Sequence, residues 1–249
     1  MKRALYIIFF FLSFFSLRSQ VINIESKRFL NDTNGWVGKI DINFAVIQNT
    51  QQFISLGNNV HVQYQHNKSR FLFLNDINLI KAGSNDVVNS GFQHLRYNYR
   101  INYFLTAEIF TQAQYNKILN LNLRYLAGAG PRFKLFKTPD FKMYTACLYM
   151  YEYEEIKGDT IINRDNRLSS YISFSVAIGK TVDFASTTFY QPNMANFADY
   201  RIANDSGLEI TIGKRLNYRV GFNLLYDTKQ PPGVPDLVYS VKNGLSFKF

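Results

Sequence analysis

Hydrophobic and polar residues alternate along most of this chain with a period of two, which is the period of side chains on a β-strand. Near the start of the pattern, Trp36, Ile40 and Phe44 alternate with residues that include Lys39 and Asp41. The last thirteen residues show the same alternation. Their apolar face consists of Leu237, Tyr239, Val241, Leu245, Phe247 and Phe249, and their other face of Val238, Ser240, Lys242, Gly244, Ser246 and Lys248. Strands of this kind have one apolar surface and one largely polar surface.

About twelve segments with this period can be placed after residue 35. They lie at 36–46, 54–65, 70–81, 88–99, 103–115, 121–136, 142–156, 168–179, 184–191, 200–213, 218–227 and 237–249. In 70–81 and 142–156 both faces are partly apolar, so either the interior is locally filled there or one face packs against another part of the molecule. The sequence predicts an all-β fold: a transmembrane antiparallel up-and-down β-barrel of about twelve strands, in which lipid-facing and lumen-facing residues alternate.

The connections between these segments favour the same fold, because outer-membrane barrels alternate short periplasmic turns with longer outer loops. The predicted even-numbered connections are short and lie at 66–69, 100–102, 137–140, 180–183 and 214–217. The odd-numbered connections include longer ones at 82–87, 157–166, 192–199 and 228–236. An even number of strands also returns both chain ends to the periplasm.

The first residues have the pattern of a cleaved signal peptide. Lys2 and Arg3 precede an apolar run over residues 4–17, and Ser19 offers a small residue before a cleavage point. The run is shorter than the ~20 residues of a membrane-spanning helix. We therefore expect a signal peptide at 1–19, a short periplasmic segment at 20–35 and the barrel at 36–249.

The charge and the cysteine content limit the classes of binding partner and of covalent cross-link that we expect for this protein. The formal net charge is +10, and it falls to +7 on removal of Lys2, Arg3 and Arg18 with the signal peptide. The basic residues are spread along the chain without a nucleic-acid motif, so we interpret them as membrane-surface and lumen charge, with outer-membrane lipid and lipopolysaccharide as partners and no nucleic acid. A generally basic solvated surface is the alternative. The single cysteine, Cys147, excludes an internal disulfide framework.

Several charged residues lie on the face of the predicted strands that points into the barrel. The candidate lumen-facing residues are Lys39, Asp41, Glu108, Arg124, Arg132, Lys134 and Glu209, with Lys242 and Lys248 on the same parity. Gly128 and Gly130 also point inward, where a missing side chain makes room for a neighbour or permits a bend. A barrel of ~12 strands lies between small filled barrels and open pores of 16 strands, so its size leaves both a channel and a filled scaffold open.

Two groups of residues suggest a specific catalytic or metal-binding site, but each group has a simpler interpretation. His61, His66 and His94 could serve an embedded lipid hydrolase, but no serine motif of the nucleophile-elbow type accompanies them. Glu152, Glu154 and Glu155, with Asp159 and Asp165, lack the spacing of a calcium loop, which favours a solvated charged loop. We predict no catalytic, metal-binding or cofactor-binding residue, and no enzymatic activity.

The chain resembles a known family in its layout over residues 36–249 and in specific motifs from Tyr190 onward. The segments that carry the resemblance are Tyr190-Gln-Pro-Asn-Met-Ala-Asn-Phe197-Ala-Asp199-Tyr200-Arg201, Ser206-Gly207-Leu208-Glu209, Tyr226-Asp227, Pro231-Pro-Gly-Val234 and the closing aromatic strand. The segment Leu126-Ala-Gly128-Ala-Gly130 is similar to that family's glycine-bearing strand. These segments look like the salt-induced outer-membrane protein family, whose barrels have no established function. The resemblance implies the barrel fold and the outer membrane of a Gram-negative bacterium, without a ligand or catalytic residue.

The functional hypothesis is a narrow pore, or an envelope scaffold that contributes to osmotic and salt tolerance. The alternatives are a surface docking or adhesion barrel that uses the loops at 157–166 and 228–236, and a membrane-embedded lipid hydrolase. The resemblance to other outer-membrane barrels implies that the barrel-assembly machinery recognises the closing strand, which ends at Phe249. The oligomeric state stays open.

Overall fold

The computed structural model describes residues 34–48, 52–83, 85–156, 161–213, 216–231 and 233–247. Most of these residues lie in twelve β-strands. The strands are β1 (Gly35–Gln48), β2 (Gln52–His66), β3 (Ser69–Ala82), β4 (Asn85–Arg100), β5 (Leu105–Asn116), β6 (Leu121–Lys137), β7 (Phe141–Ile156), β8 (Ile161–Ile178), β9 (Val182–Pro192), β10 (Tyr200–Thr211), β11 (Leu216–Asp227) and β12 (Leu237–Phe247). No helix in these ranges is long and apolar enough to cross a membrane. The predicted signal peptide at 1–19 lies outside the described residues.

All twelve strands form one sheet, and each strand pairs antiparallel with the next one in the chain. The connections are short enough that consecutive strands become neighbours, which is the simplest topology for hairpin-linked strands. The predicted all-β, antiparallel up-and-down arrangement of about twelve strands is confirmed.

The sheet is strongly curled. Arg201 on β10 contacts Glu152 on β7 at 2.5 Å, and the Tyr171 hydroxyl on β8 lies 3.1 Å from Glu108 on β5. In both cases the two strands are three positions apart, a separation of ~14 Å in a flat sheet. The side chains meet because the sheet wraps around them, which defines this face as the interior.

The two ends of the sheet are less enclosed than its middle. Among the described residues, no hydrogen-bonded register joins β1 to β12, which form the two edges. Trp36 and Ile42 on the outer face of β1 are exposed, and so is the inward-facing Lys39, whose side chain is 68% exposed. The interior is therefore open beside β1.

The two segments with ambiguous alternation owe it to a filled interior. On β3, Leu72 and Leu74 are buried inside, whereas Phe71 and Phe73 are exposed outside. On β7, Leu148 and Met150 lie inside and Tyr149 and Tyr151 outside. Both faces are apolar because one meets the packed interior and the other forms the outer surface. Of the two explanations that the sequence left open, local filling of the interior is correct.

Two of the predicted long connections are wrong. β3 ends at Ala82 and β4 begins at Asn85, so most of the loop predicted at 82–87 lies in strands. β8 begins at Ile161, which places 161–166 of the loop predicted at 157–166 in a strand. The ladder continues through polar pairs such as Glu152 with Asp165, because backbone hydrogen bonding does not need apolar side chains. The connections at 193–199 and 228–236 are long, as expected.

Gly128 makes room for an aromatic ring beside β6. It lies opposite Phe110 of β5 in the register. A Cβ atom at position 128 would lie 2.6 Å from a Phe110 ring carbon and 2.8 Å from the Tyr149 carbonyl oxygen. The expectation that this glycine makes room for a neighbour is confirmed.

Candidate functional site

A network of charged side chains fills the interior near the odd-numbered connections. We call it the ion network, and its members come from β6, β7, β8, β10, β11 and the two long connections. They are Arg124, Glu152, Glu154, Asp165, Arg167, Asp199, Arg201, Asp227 and Lys229. Five carboxylates thus face four cations, so the charges nearly cancel where water is largely excluded.

Arg201 is the link across the interior. Its Nε donates to Asp227 Oδ2 at 2.5 Å on the neighbouring strand. Its Nη1 and Nη2 donate to Glu152 Oε1 at 2.5 Å and Glu154 Oε2 at 3.0 Å, both on β7. The planar guanidinium offers donors on several sides, which lets one side chain tie β10 to β7 and β11 at once.

Glu152 is the centre of the network. Its side chain is fully buried, and it pairs with three guanidinium groups. Arg124 Nε lies 2.8 Å from Oε1, Arg167 Nε lies 2.6 Å from Oε2, and Arg201 approaches Oε1. A buried carboxylate without such partners would cost several kcal/mol, so these arginines make its position possible.

Asp199 anchors the connection between β9 and β10 to the network. Its carboxylate accepts from Arg167 Nη2 at 3.0 Å and Asn193 Nδ2 at 3.3 Å, and pairs with Lys229 Nζ at 3.3 Å. Burial acts to raise the pKa of the Asp199 carboxyl, but the Arg167 guanidinium and the hydrogen bonds from Arg167, Asn193 and Lys229 together outweigh it and hold that pKa below its usual range. The connection therefore folds inward over the mouth of the barrel.

An apolar cluster lies next to the ion network at mid-height. It contains Phe110, Leu126, Ala146, Leu148, Met150, Tyr171, Phe189, Ala203 and Leu225, from seven consecutive strands. The cavity between this cluster and the network has a volume of about 30 Å³, room for about two water molecules. The interior between β5 and β11 is therefore packed.

His94 belongs to a second buried polar group on the wall of this cavity. Arg96 Nε donates to His94 Nε2 at 3.3 Å, and because arginine only donates, the imidazole proton resides on Nδ1. His94 Nδ1 then donates to Gln112 Oε1 at 2.9 Å. Arg96 also pairs with Glu108 at 3.2 Å, and the Tyr171 hydroxyl donates to the same carboxylate at 3.1 Å. The imidazole thus bridges two neighbouring side chains inside the barrel.

The mouth near the even-numbered connections has a different character. A cavity of about 90 Å³ there is lined by residues of β2 to β7 and their turns. Six of the lining residues are cationic: Lys68, Arg70, Arg100, Arg132, Lys134 and Lys137. We call these six residues the cationic mouth. The two ends of the interior therefore differ strongly in charge.

The predicted lumen residues of the middle strands lie in the packed interior. Glu108 and Arg124 are buried, and both take part in the ion pairs described above. The Arg132 side chain is largely buried, with its guanidinium 3.8 Å from the Tyr144 ring centroid and its Nε 3.7 Å from Glu108. Lys134 Nζ lies 4.1 Å from the ring centroid of Tyr103, at the rim of the cationic mouth.

The predicted lumen residues near the sheet edges lie in more open surroundings. Lys39 and Asp41 pair with each other at 2.7 Å, and both are exposed. Glu209 pairs with Arg219 at 2.8 Å, and both side chains remain partly exposed. The structure thus separates the predicted set into a buried group and an exposed group.

Sequence reasoning missed most of the ion network. Glu152 and Glu154, interpreted as part of a solvated loop, are buried on β7, so that interpretation is wrong. Asp199, Arg201 and Asp227 carry the family resemblance, but their partners lie 26 to 49 residues away in the chain. The signal in the sequence that could have identified these three residues is that each lies beside the end of a predicted strand.

The other two histidines lie apart from His94. His66 is exposed at the end of β2, where its Nε2 lies 3.2 Å from Asn67 Nδ2, and His61 lies mid-strand on the interior face. Among the described residues, no group of three or more His, Cys, Asp or Glu side chains is arranged to hold a metal ion.

Fold and interior together define a twelve-stranded antiparallel barrel-type protein with a charged, densely packed interior. The chain belongs to the family described as "Protein of unknown function, DUF481", whose profile matches residues 49–248. The family resemblance is thereby confirmed.

Solved porin structures show a weaker likeness. The NanC porin is 13% identical, with a TM-score of 0.48 over 78% of this chain and 94% of that chain. The KdgM porin is 10% identical, with a TM-score of 0.40 over 84% and 98%. A KdgM porin in complex with disordered oligogalacturonate is 13% identical, with a TM-score of 0.41 over the same shares. Overlap at this level is too low to support an inference about this chain. No curated protein matches its sequence.

Proposed function

We propose that this protein is an integral barrel of the outer membrane of a Gram-negative bacterium. The outer face of the sheet supports this location, since it exposes large apolar side chains on most strands. They include Phe44, Leu56, Phe71, Phe73, Leu95, Ile109, Tyr125, Tyr149, Ile172, Tyr190, Tyr239 and Val241. So much exposed apolar area in one band is expected of a lipid-facing surface.

Aromatic residues border this band at both ends. Toward the odd-numbered connections, Tyr190, Tyr200 and Tyr226 form a ladder with ring centroids 5.7 and 5.9 Å apart. On β11, Tyr218 and Tyr226 enclose an apolar stretch of eight residue steps, ~26 Å along the strand, before tilt is considered. Membrane barrels have an apolar band of ~25 Å between aromatic girdles.

The polar residues within the outer face form hydrogen bonds with one another. Asn204 Nδ2 donates to Thr188 Oγ1 at 2.9 Å, and Ser206 Oγ lies 2.9 Å from Ser186 Oγ. Hydrogen bonds of this kind reduce the cost of placing polar groups against lipid. The cluster is therefore compatible with a membrane location.

Within the membrane, the protein functions as an envelope scaffold whose interior is closed to general solutes and which contributes to osmotic and salt tolerance. The observation that carries this proposal is the packed interior: the ion network and the apolar cluster occupy the space between β5 and β11, and the cavity among them is about 30 Å³. Lipid and lipopolysaccharide are the surrounding partners, and the assembly machinery recognises the closing strand.

Single-channel recording in a planar bilayer tests the closed interior. Folded protein, verified by a shift in gel mobility on boiling, should give no large, steady conductance steps. The double variant Arg201→Ala/Glu154→Ala removes two linked side chains from the blocked region, and we expect conductance steps to appear or to grow several-fold. Arg219→Gln, in an exposed ion pair, is the matched control and should behave as the wild type.

Large, steady steps from the wild-type protein would reject the closed interior. The role in salt tolerance is tested in the source organism by deleting the gene and measuring growth at raised salt. We expect growth to fall and to be restored by the wild-type gene. Normal growth of the deletion strain would contradict the scaffold role and leave the closed interior to be judged by the recordings.

A narrow pore is the second candidate, and the open side of the interior favours it. Lys39 and Asp41 on β1 remain exposed there. If ions pass on this side, Lys39→Gln should change ion preference, whereas Arg124→Gln in the packed half should not. A change with Arg124→Gln alone would place the pathway through the ion network instead.

A further inference from the structure

We propose that His94 is an acid-sensitive switch, which loosens the packed interior when its imidazole takes up a proton. This switch rests on the closed interior proposed above and adds a condition under which that interior opens. The His94 side chain lies on β4 and is buried, and its ring stacks on Phe110 of the apolar cluster with ring centroids 5.6 Å apart. A change at this ring therefore acts directly on the packing that closes the barrel.

A hydrogen-bond chain of fixed direction runs through His94. Arg96 Nε donates to His94 Nε2 at 3.3 Å, and His94 Nδ1 donates to Gln112 Oε1 at 2.9 Å. Gln112 Nε2 donates in turn to Gln114 Oε1 at 2.6 Å, which keeps the Gln112 amide oxygen turned towards the imidazole. Because arginine can only donate, the first link of the chain cannot reverse. The chain thus requires a neutral imidazole with its proton on Nδ1.

A second proton on the imidazole breaks this chain at its first link. Protonated histidine carries a hydrogen on both ring nitrogens, so Nε2 would become a donor that faces the Arg96 donor at 3.3 Å. Both side chains would then be cations, and both are buried, where water screens their repulsion poorly. One of the two side chains has to move away.

The carboxylates near His94 already bind arginines. The charged and titratable groups around the neighbouring cavity are Arg96 on β4, Arg124 on β6, Glu152 on β7, Tyr171 on β8 and Arg201 on β10. Glu152 pairs with three arginines, and Glu108 on β5 pairs with Arg96 and accepts from the Tyr171 hydroxyl. A protonated His94 would therefore compete with an arginine for either carboxylate.

The strands on the other side of β4 offer His94 one further carboxylate. On β3, Leu74 lies opposite His94, and Asp76 is two residues further along the same face. The Asp76 carboxylate accepts hydrogen bonds from Asn59 and Asn78. On β2, His61 lies opposite Leu74 and is itself titratable, so its part in any acid response has to be measured separately.

Arg96 transmits the change across the interior. It pairs with Glu108 at 3.2 Å, and the same carboxylate accepts from the Tyr171 hydroxyl on β8 at 3.1 Å. The Arg96 guanidinium also lies over the Phe110 ring, 5.2 Å from its centroid. Movement of Arg96 would thus weaken the tie from β4 and β5 to β8 and the contact with Phe110. We expect the space beside the apolar cluster to widen enough for ions to pass.

Single-channel recording at two pH values tests the switch on the folded, full-length protein. Imidazole in water takes up a proton near pH ~6.5, whereas carboxylates in water titrate near pH ~4 and stay largely ionised at about pH 5. We expect few conductance steps at about pH 7.5 and at least several-fold more at about pH 5. His94→Gln should lose this dependence, because glutamine can accept from Arg96 and donate to Gln112 but does not titrate.

His66→Gln is the matched control, because His66 is exposed at the end of β2, and it should keep the acid response. His61→Gln should keep it as well. If His94→Gln fails to fold, Arg96→Gln is the second variant: its neutral amide can also accept from a protonated imidazole, so acid should have much less effect. An acid response that persists in His94→Gln or Arg96→Gln, or that is lost in His61→Gln or His66→Gln instead, would overturn the switch.

The two pH values separate the switch from the scaffold function. A wild-type protein that gives no steps at either pH keeps the closed interior and overturns the switch. Large, steady steps at neutral pH would reject the closed interior, and the comparison of the wild type with His94→Gln in acid would still decide whether His94 controls the opening.

Discussion

Replacement of Arg201 by methionine should destabilise the barrel more than any exposed charge substitution. The change keeps much of the side-chain volume but removes the donors to Asp227, Glu152 and Glu154. All three carboxylates are buried. Loss of one partner from a buried ion pair costs ~3–5 kcal/mol, because the remaining charge stays where water cannot solvate it.

The structure places the expected loss at the lower end of this range. Glu152 retains Arg124 and Arg167, and Glu154 retains Arg124 at 3.0 Å. Asp227 loses its guanidinium partner, so it should account for most of the cost. We therefore expect a loss of ~3 kcal/mol in the free energy of unfolding.

Urea unfolding of the protein in lipid vesicles measures this difference, with the fraction folded read from gel mobility without boiling. Arg219→Gln is the control, because its ion pair with Glu209 is exposed and should contribute at most ~1 kcal/mol. Asp227→Asn in the Arg201→Met background should recover part of the loss, since it removes the stranded charge. An Arg201→Met protein that unfolds at the same urea concentration as Arg219→Gln would refute the reasoning.

Two further predictions concern packing and pH. A folded-state pKa of Asp199 below the usual 3.8 means that its ion pair stabilises the protein above that pH and that this stabilisation is lost as the pH falls through the folded-state pKa. Asp199→Asn should thus be less stable than the wild type at pH 7, and the urea midpoints of the two should converge below pH 3.8; a constant difference would contradict the ion pair. Gly128→Ala should cost ~1–3 kcal/mol by overpacking against Phe110, whereas Gly207→Ala should have little effect on the same unfolding curve. Equal midpoints for the two glycine variants would show that Phe110 can move aside.

The order and type of the secondary structure could be predicted because side-chain alternation is a local property. Leu237, Tyr239 and Val241 share one face in the sequence pattern, and all three are exposed on the outer face of β12. Strand ends were harder to place. At 161–166 the strand continues through charged residues, since the backbone ladder, not hydrophobicity, determines where it ends.

The composition of the interior could be predicted only in part. The alternation identified Glu108 and Arg124 as lumen-facing, because successive side chains on a strand point to opposite faces. It could not show that Arg124 meets Glu152 and Glu154, nor that Lys39 stays exposed at an edge. Parity assigns a side chain to a face, but burial depends on how tightly the sheet curls around that face.

The sequence by itself determined that this chain forms an antiparallel sheet with one apolar and one largely polar face, because neighbouring residues on a strand necessarily point to opposite sides. Only the tertiary structure decided which charges meet. Arg201 and Glu152 are 49 residues apart in the chain and 2.5 Å apart in space. That contact arises from the curvature of the sheet, a property of all its strands together. The same curvature gathers six cations at the opposite mouth, where no single stretch of sequence contains them.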